Sequence, residues 1–183
     1  MSEESATETD ELDLESLLIE NGILELNDDG TDLIFTDAFD EQMRAELDAV
    51  NDREVARERL LDLLKEQADP DAEVKFDQFP HAFRVLVDGI PAGVYPSEAA
   101  LYADVSAAAI VEEYIDEWDS FEITEKGEIL SGIRVFLEIC PACGEEVTFK
   151  TEEVESCCGH YQTAAISCNN CGDRLYESPP LDE

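Results

Sequence analysis

The sequence predicts an α+β fold in three parts, and three observations carry that reading. Apolar residues recur at helical spacing, most clearly at Leu101, Val105, Ala108, Val111, Ile115 and Trp118, whose steps of 4, 3, 3, 4 and 3 form one continuous face. Between such stretches lie short alternating runs broken at Asn27-Asp28-Asp29-Gly30 and at Asp88-Gly89, the chemistry of tight hairpin turns. All six cysteines fall in the last 44 residues, and four of them form two C-x-x-C pairs. The expected order is an N-terminal helix–hairpin–helix region, a central β-hairpin with a long helix, and a C-terminal unit of strands bearing the cysteines.

Residues 1–13, MSEESATETDELD, hold six acids, no base and one interior leucine, and read as an acidic disordered tail. Over residues 14–69, a short helix stops at Asn21-Gly22 and a hairpin crosses the NDDG turn. A helix capped by Thr36 or Asp37 follows. Next comes an amphipathic helix with Val55, Leu60, Leu61 and Leu64 inward, ending before Pro70, where a boundary is expected. This order is similar to the recognition helix and wing of a winged helix domain. The similarity spans about 30 residues, and a complete helix-turn-helix is missing because only about eight helical residues precede the hairpin.

Within residues 70–139, FRVLVDGIPAGVY (residues 83–95) reads as a hairpin turning at Asp88-Gly89, with Pro91 confining one strand to a sheet edge. Ser97 caps the long helix, which is expected to cover that hairpin with its apolar face. A last helix carries Ile129, Ile133, Phe136 and Leu137 on one side and is expected to run through Ile139 straight into Cys140. Residues 140–178 form the cysteine unit, and 179–183 a tail.

Charge narrows the setting. Aspartate and glutamate number 47 against 11 lysine plus arginine, a net charge of −36, and lysine contributes only four of the bases. Such a chain repels itself in dilute buffer. Concentrated salt relieves the repulsion, because the Debye length falls to about 3 Å at 1 M. The composition resembles that of cytoplasmic proteins from salt-in halophilic archaea, with an ordinary acidic interaction protein as the alternative. The same charge disfavours direct contact with nucleic-acid phosphates, which requires cations to displace counterions. The N-terminus lacks the charged-then-apolar pattern of a signal peptide, and no apolar run approaches the ~20 residues that span a bilayer. A soluble cytoplasmic protein with no membrane partner is expected. There, paired cysteines point to metal before disulfide.

The pairs are Cys140 with Cys143 in CPACG, and Cys168 with Cys171 in CNNCG. A two-residue gap lets one tight turn present both sulfurs to one ion. Gly144 and Gly172 permit the positive φ that turns backbone N–H groups toward the thiolates. Four thiolates suit a tetrahedral Zn²⁺. The 24 residues between the pairs include the β-like EEVTFKT and YQTAAIS, and RLYE follows the second pair. Residues 140–177 resemble the zinc ribbon family, including its CPxCG knuckle. That resemblance implies a single structural zinc with no open coordination position. Rubredoxin, which binds iron through similar pairs, is the competitor; Glu145 and Glu146 stand where it would place aromatic residues.

Cys157, Cys158 and His160 sit near the midpoint of the connection between the knuckles. Packing at the far end of the hairpin is the first reading, since free cysteine is among the most buried residue types. A second metal site or ligand swap, and a redox-active vicinal pair, are the alternatives. No catalytic residues are assigned: His81 lies in a Pro-flanked loop, and no phosphate loop or zinc-protease helix is present. Arg44, Arg53, Arg57 and Arg59 cluster but are interleaved with acids, the pattern of a salt-bridged solvated face.

The whole chain resembles haloarchaeal proteins with a C-terminal CPxCG zinc ribbon, which implies a fold element and a cellular setting but no activity. The expected function is a non-enzymatic zinc-binding adaptor or regulator acting through protein contacts. A nucleic-acid-binding transcription regulator is the alternative, and a rubredoxin-like electron carrier a remote one. The sequence sets no oligomeric state.

Overall fold

The first helix, α1 (Leu14–Glu20), begins where the Asp13 carboxylate accepts the Ser16 N–H and ends at Gly22, whose φ of 72° reverses the chain. These features come from a computed structural model that describes residues 12–50, 52–156 and 159–181; the tail expected over residues 1–13 lies almost wholly outside them. Strands β1 (Leu24–Leu26) and β2 (Leu33–Phe35) pair across the NDDG turn. Helix α2 (Asp37–Ala49) is capped by Thr36, whose hydroxyl accepts the Phe39 N–H and donates to the Gly22 carbonyl. Helix α3 (Arg53–Leu63) is capped by Asp52. Ala56, Leu60 and Leu61 are its buried residues, Leu64 is buried at its C-cap, and Val55, expected inward, is only half-buried.

Strands β3 (Val74–Phe79), β4 (Ala82–Val87) and β5 (Ile90–Tyr95) form an antiparallel meander with β4 in the centre. At the β4–β5 turn Asp88 and Gly89 have φ of 50° and 78°, the two positive values of a type I′ hairpin. Pro91 lies on the outer strand β5, where its missing N–H costs no ladder bond. The sequence gives no sign of β3, because Lys75, Asp77 and Gln78 blur its alternation and no residue on it is fully buried.

Helix α4 (Glu98–Val111), capped by Ser97, is shorter than expected. It stops at Val111, and Ile115 and Trp118 follow in turns, Trp118 opening a 3₁₀ turn through Ser120. Glu112, Glu113, Asp116, Glu117 and Asp119 crowd that end, where the negative pole of the helix dipole disfavours acids. The expected single stripe also divides. Leu101 and Val105 join Phe83, Val85 and Val87 of the sheet and Leu60 and Leu61 of α3 in one core. Val111, Ile115 and Trp118 join a larger core with α1, α2 and the C-terminal strands. Every residue from Ala99 to Ala107 is buried, so α4 is the axis on which both cores meet.

Helix α5 (Ile123–Arg134) ends before Ile139, correcting the expectation of a helix running into Cys140. The chain leaves the helix through turns at Val135–Leu137 because Glu138 and Ile139 are committed to strand-like pairing. Ile139 pairs with Glu146, and the Glu138 carbonyl accepts the Val147 N–H at 3.0 Å. Ile129, Ile133 and Leu137 are buried as expected, whereas Phe136 is half-buried against the Phe35 ring.

An ion pair bolts α5 to α4. The Arg134 guanidinium donates to Asp104 Oδ2 at 3.2 Å, to the Ala100 carbonyl at 3.4 Å and to Ser131 Oγ at 3.0 Å, with both charged side chains buried. Burial raises the Asp104 carboxyl to about 7, with the guanidinium working in the opposite direction. The final sheet holds β6 (Val147–Ser156), β7 (Gly159–Cys168) and β8 (Arg174–Glu177) in that spatial order, all antiparallel. Among the described residues no helix is long and apolar enough to cross a membrane.

Candidate metal centre

Two turns stand at the same end of the last sheet and face each other. In the first, the Cys140 N–H bonds the Glu145 carbonyl and the Gly144 N–H returns to the Cys140 carbonyl, each at 2.8 Å. In the second, the Cys168 N–H bonds the Asp173 carbonyl at 2.9 Å, and the Asn170 N–H points at Cys168 Sγ from 3.3 Å. Gly144 and Gly172 adopt φ of 74° and 79°, so both knuckles use the left-handed geometry expected of their glycines. The Asn169 N–H on the Glu146 carbonyl and Thr148 Oγ1 on Asn169 Oδ1 tie one turn to the other.

This geometry brings Cys140, Cys143, Cys168 and Cys171 together, with all four sulfurs within 4.8 Å of one another. Across the knuckles, Cys140 Sγ lies 3.6 Å from Cys171 Sγ, and Cys143 Sγ lies 3.4 Å from Cys168 Sγ. Four sulfurs held about 2.3 Å from a tetrahedral ion stand about 3.8 Å apart, whereas a disulfide would draw two of them to about 2.05 Å. The observed separations match the first arrangement, and the four cysteines are free of disulfides. The donor set fits a thiophilic metal ion with all four positions filled.

The four thiols are not equivalent. Cys140 and Cys168 are 1% and 4% exposed and belong to the larger core, whereas Cys143 and Cys171 face solvent. Burial pushes the Cys140 thiol far above its ordinary value and the Cys171 thiol to about 11. At Cys168 burial works the same way, but backbone N–H groups of Cys171 and Asn170 and the neighbouring sulfurs outweigh it and bring the thiol down to about 7. The backbone N–H groups aimed at Cys168 thus favour its thiolate, the form that binds a cation.

The sheet behind the site is fixed to the helices. Ile166 and Leu175 are buried in the same cluster as Ala103, Ala107, Ile129 and Ile133, and Ser97 Oγ donates to the Arg174 carbonyl at 2.7 Å. The orientation of the first knuckle thus comes from this shared core, in place of the continuous helix expected from the sequence. Leu175 is the anchor that sequence reading missed; the alternation of RLYE is the signal that could have marked it. Asp104, the one charged residue in the buried stretch Ala99 to Ala107 of α4, was a similar unread signal for the pair with Arg134.

His160 is not brought to this site. The β6–β7 register runs from Val147 opposite Cys168 to Ser156 opposite Gly159, placing His160 opposite Glu155. Eight residues of strand separate His160 from Cys168, about 27 Å at ordinary rise. Its Nδ1 stands 3.5 Å from a Glu153 carboxylate oxygen at the exposed end of the hairpin. In this structure His160 therefore stands far from the four sulfurs. Cys157 and Cys158, the other members of that group, lie outside the described residues. His81 is exposed at the β3–β4 turn.

The fold and the site define an α+β protein whose C-terminal antiparallel sheet carries a four-cysteine centre able to hold a metal ion. Residues 13–135 match the central domain, and residues 138–178 the C-terminal domain, of a family described as a family of unknown function, DUF8054. The chain belongs to that family. No curated protein and no solved structure matches it.

Proposed function

We propose that this chain is a non-enzymatic, zinc-binding adaptor or regulator that acts through protein contacts in the cytoplasm of a halophilic archaeon. The observation that carries the reading is the closed set of four sulfurs, two of them inside the main core. Such a centre leaves a bound zinc no position for water or substrate, so the metal shapes a surface and performs no chemistry. Zinc is favoured because thiolate sites of this geometry suit a d¹⁰ ion with no redox demands. The charge of −36 supports a protein partner over a polyphosphate one. It also supports a high-salt setting, in which that charge is screened.

Elemental analysis of the full chain purified in molar salt tests the metal. One equivalent of zinc is expected, lost in Cys143→Ser. Iron with visible thiolate absorption would replace the adaptor with an electron carrier. A pull-down from salt-adapted cells, with and without nuclease, tests the partner: capture that survives nuclease supports protein contacts, and capture that nuclease abolishes overturns them.

A further inference from the structure

One groove among the described residues has no part in the candidate metal centre. It lies between α1 and α5, with Tyr176 of β8 at its edge, and has a volume of about 1260 Å³. Its floor is apolar, formed by Leu14, Leu18, Val135 and Phe136. Its rim is acidic, with Asp13 and Glu15 on one side and Glu125 and Glu128 on the other, and no cation is among its lining residues. Three of the chain's 11 bases, Arg59, Lys65 and Lys126, line a separate and smaller cleft. Val135 and Phe136 also line a separate pocket with Leu33, Ile34 and Phe35, and Val135 lines another with Phe149, which is 67% exposed.

Gly127 is the second observation. It sits inside α5 on the groove side, and glycine is a poorer helix former there than any residue except proline. The fold does not demand it. A Cβ built at Gly127 would meet nothing within 4 Å, and its φ is not in the left-handed region. Gly127 is exposed and lines the groove, so a larger side chain there would enter open space at the groove's edge.

We propose that this groove docks an amphipathic helix with a basic polar face, carried by a partner protein. This rests on the adaptor reading and names the partner's chemistry. An apolar stripe on such a helix would cover the floor, and flanking lysines or arginines would meet the four rim carboxylates. Charge selects this occupant over the two nearest rivals. At moderate salt, where charge is not fully screened, residues 1–11, with five acids and no base, and a second copy of net charge −36 both meet like charge at the rim.

The test is fluorescence anisotropy of the full zinc-loaded chain with three labelled peptides: a Leu/Lys amphipathic helix, its Leu/Glu counterpart, and a Leu/Lys scramble of equal composition. Only the ordered Leu/Lys helix should bind, with affinity falling as salt rises from moderate to molar. Gly127→Leu should fill the groove and weaken binding by roughly tenfold or more. Gly127→Ala, which adds helix propensity without filling the groove, should bind as the native chain does. Equal binding of the scramble, binding insensitive to salt, or retained binding by Gly127→Leu with native helical content would each overturn the proposal. If the peptides fail while the nuclease-resistant pull-down still captures a protein, the groove assignment falls and the adaptor reading stands. If both fail, both fall.

Discussion

Replacing Leu175 by alanine tests whether the cysteine-bearing sheet and the helices are one cooperative unit. Leu175 is 0% exposed, and it shares its core with Ile129 and Ile133 of α5 and Ala103 and Ala107 of α4. Truncating a fully buried leucine removes its transfer free energy and leaves a cavity, together about 2–5 kcal/mol. For a chain of this length each kcal/mol lowers the melting midpoint by about 2–4 °C, so a loss of about 3 kcal/mol becomes about 6–12 °C. The assay heats the zinc-loaded protein in molar salt while following helical circular dichroism and zinc release to a chromogenic chelator. Both midpoints should fall together in Leu175→Ala. Phe149→Ala, at a side chain 67% exposed on the same sheet, should move neither by more than about 0.5 kcal/mol. Zinc release at a lower temperature with an unmoved helical transition would refute the shared core as the mechanical link.

Three further outcomes follow from the ion pair and the charge. Arg134→Met should cost about 3–5 kcal/mol by stranding the Asp104 carboxylate in the interior, and adding Asp104→Leu should recover most of it; denaturant titration of both variants reads this. The Asp104 carboxyl, raised from 3.8 to about 7, favours folding fully below about 3.8 and loses that contribution as the pH rises through about 7. Native protein should therefore lose more stability than Asp104→Asn across that window in parallel melts, and equal slopes would contradict the assignment. Residues 1–139 hold 38 acids and 9 bases, net −29, against net −7 for the remainder, so lowering salt should unfold helix before zinc is released. An unchanged helical spectrum from molar to millimolar salt would count against the reading.

What the sequence disclosed was mainly local chemistry. Asp88-Gly89, Asn21-Gly22, the caps at Thr36 and Ser97, and both C-x-x-C-G knuckles each carry their geometry in two to five residues, and each adopts it. Helix ends were less legible, because they are decided by what the chain must do next. α5 stops at Arg134 since Glu138 and Ile139 pair with the knuckle, and α4 stops at Val111 while Ile115 and Trp118 still reach the core from turns. Periodicity recorded that these residues point inward, and could not record that two different cores receive them. The β3 strand escaped notice because its partners, and not its own alternation, make it a strand. That the four sulfurs would converge was legible from their spacing. Their unequal burial was not, because it arises from α4 and β8, which are far apart in the chain.

Cys140 and Cys168 lie among the apolar side chains that hold the helices together, so an ion bound there would tie the protein's lifetime to metal supply. An ion held by the native chain alone adds its binding free energy to stability in proportion to the logarithm of the free-ion concentration. Under starvation for that ion the open population grows, about tenfold for each 1.4 kcal/mol withdrawn, and open chains are what cellular proteases remove. Abundance would then track metal availability without any sensor, repressor or promoter.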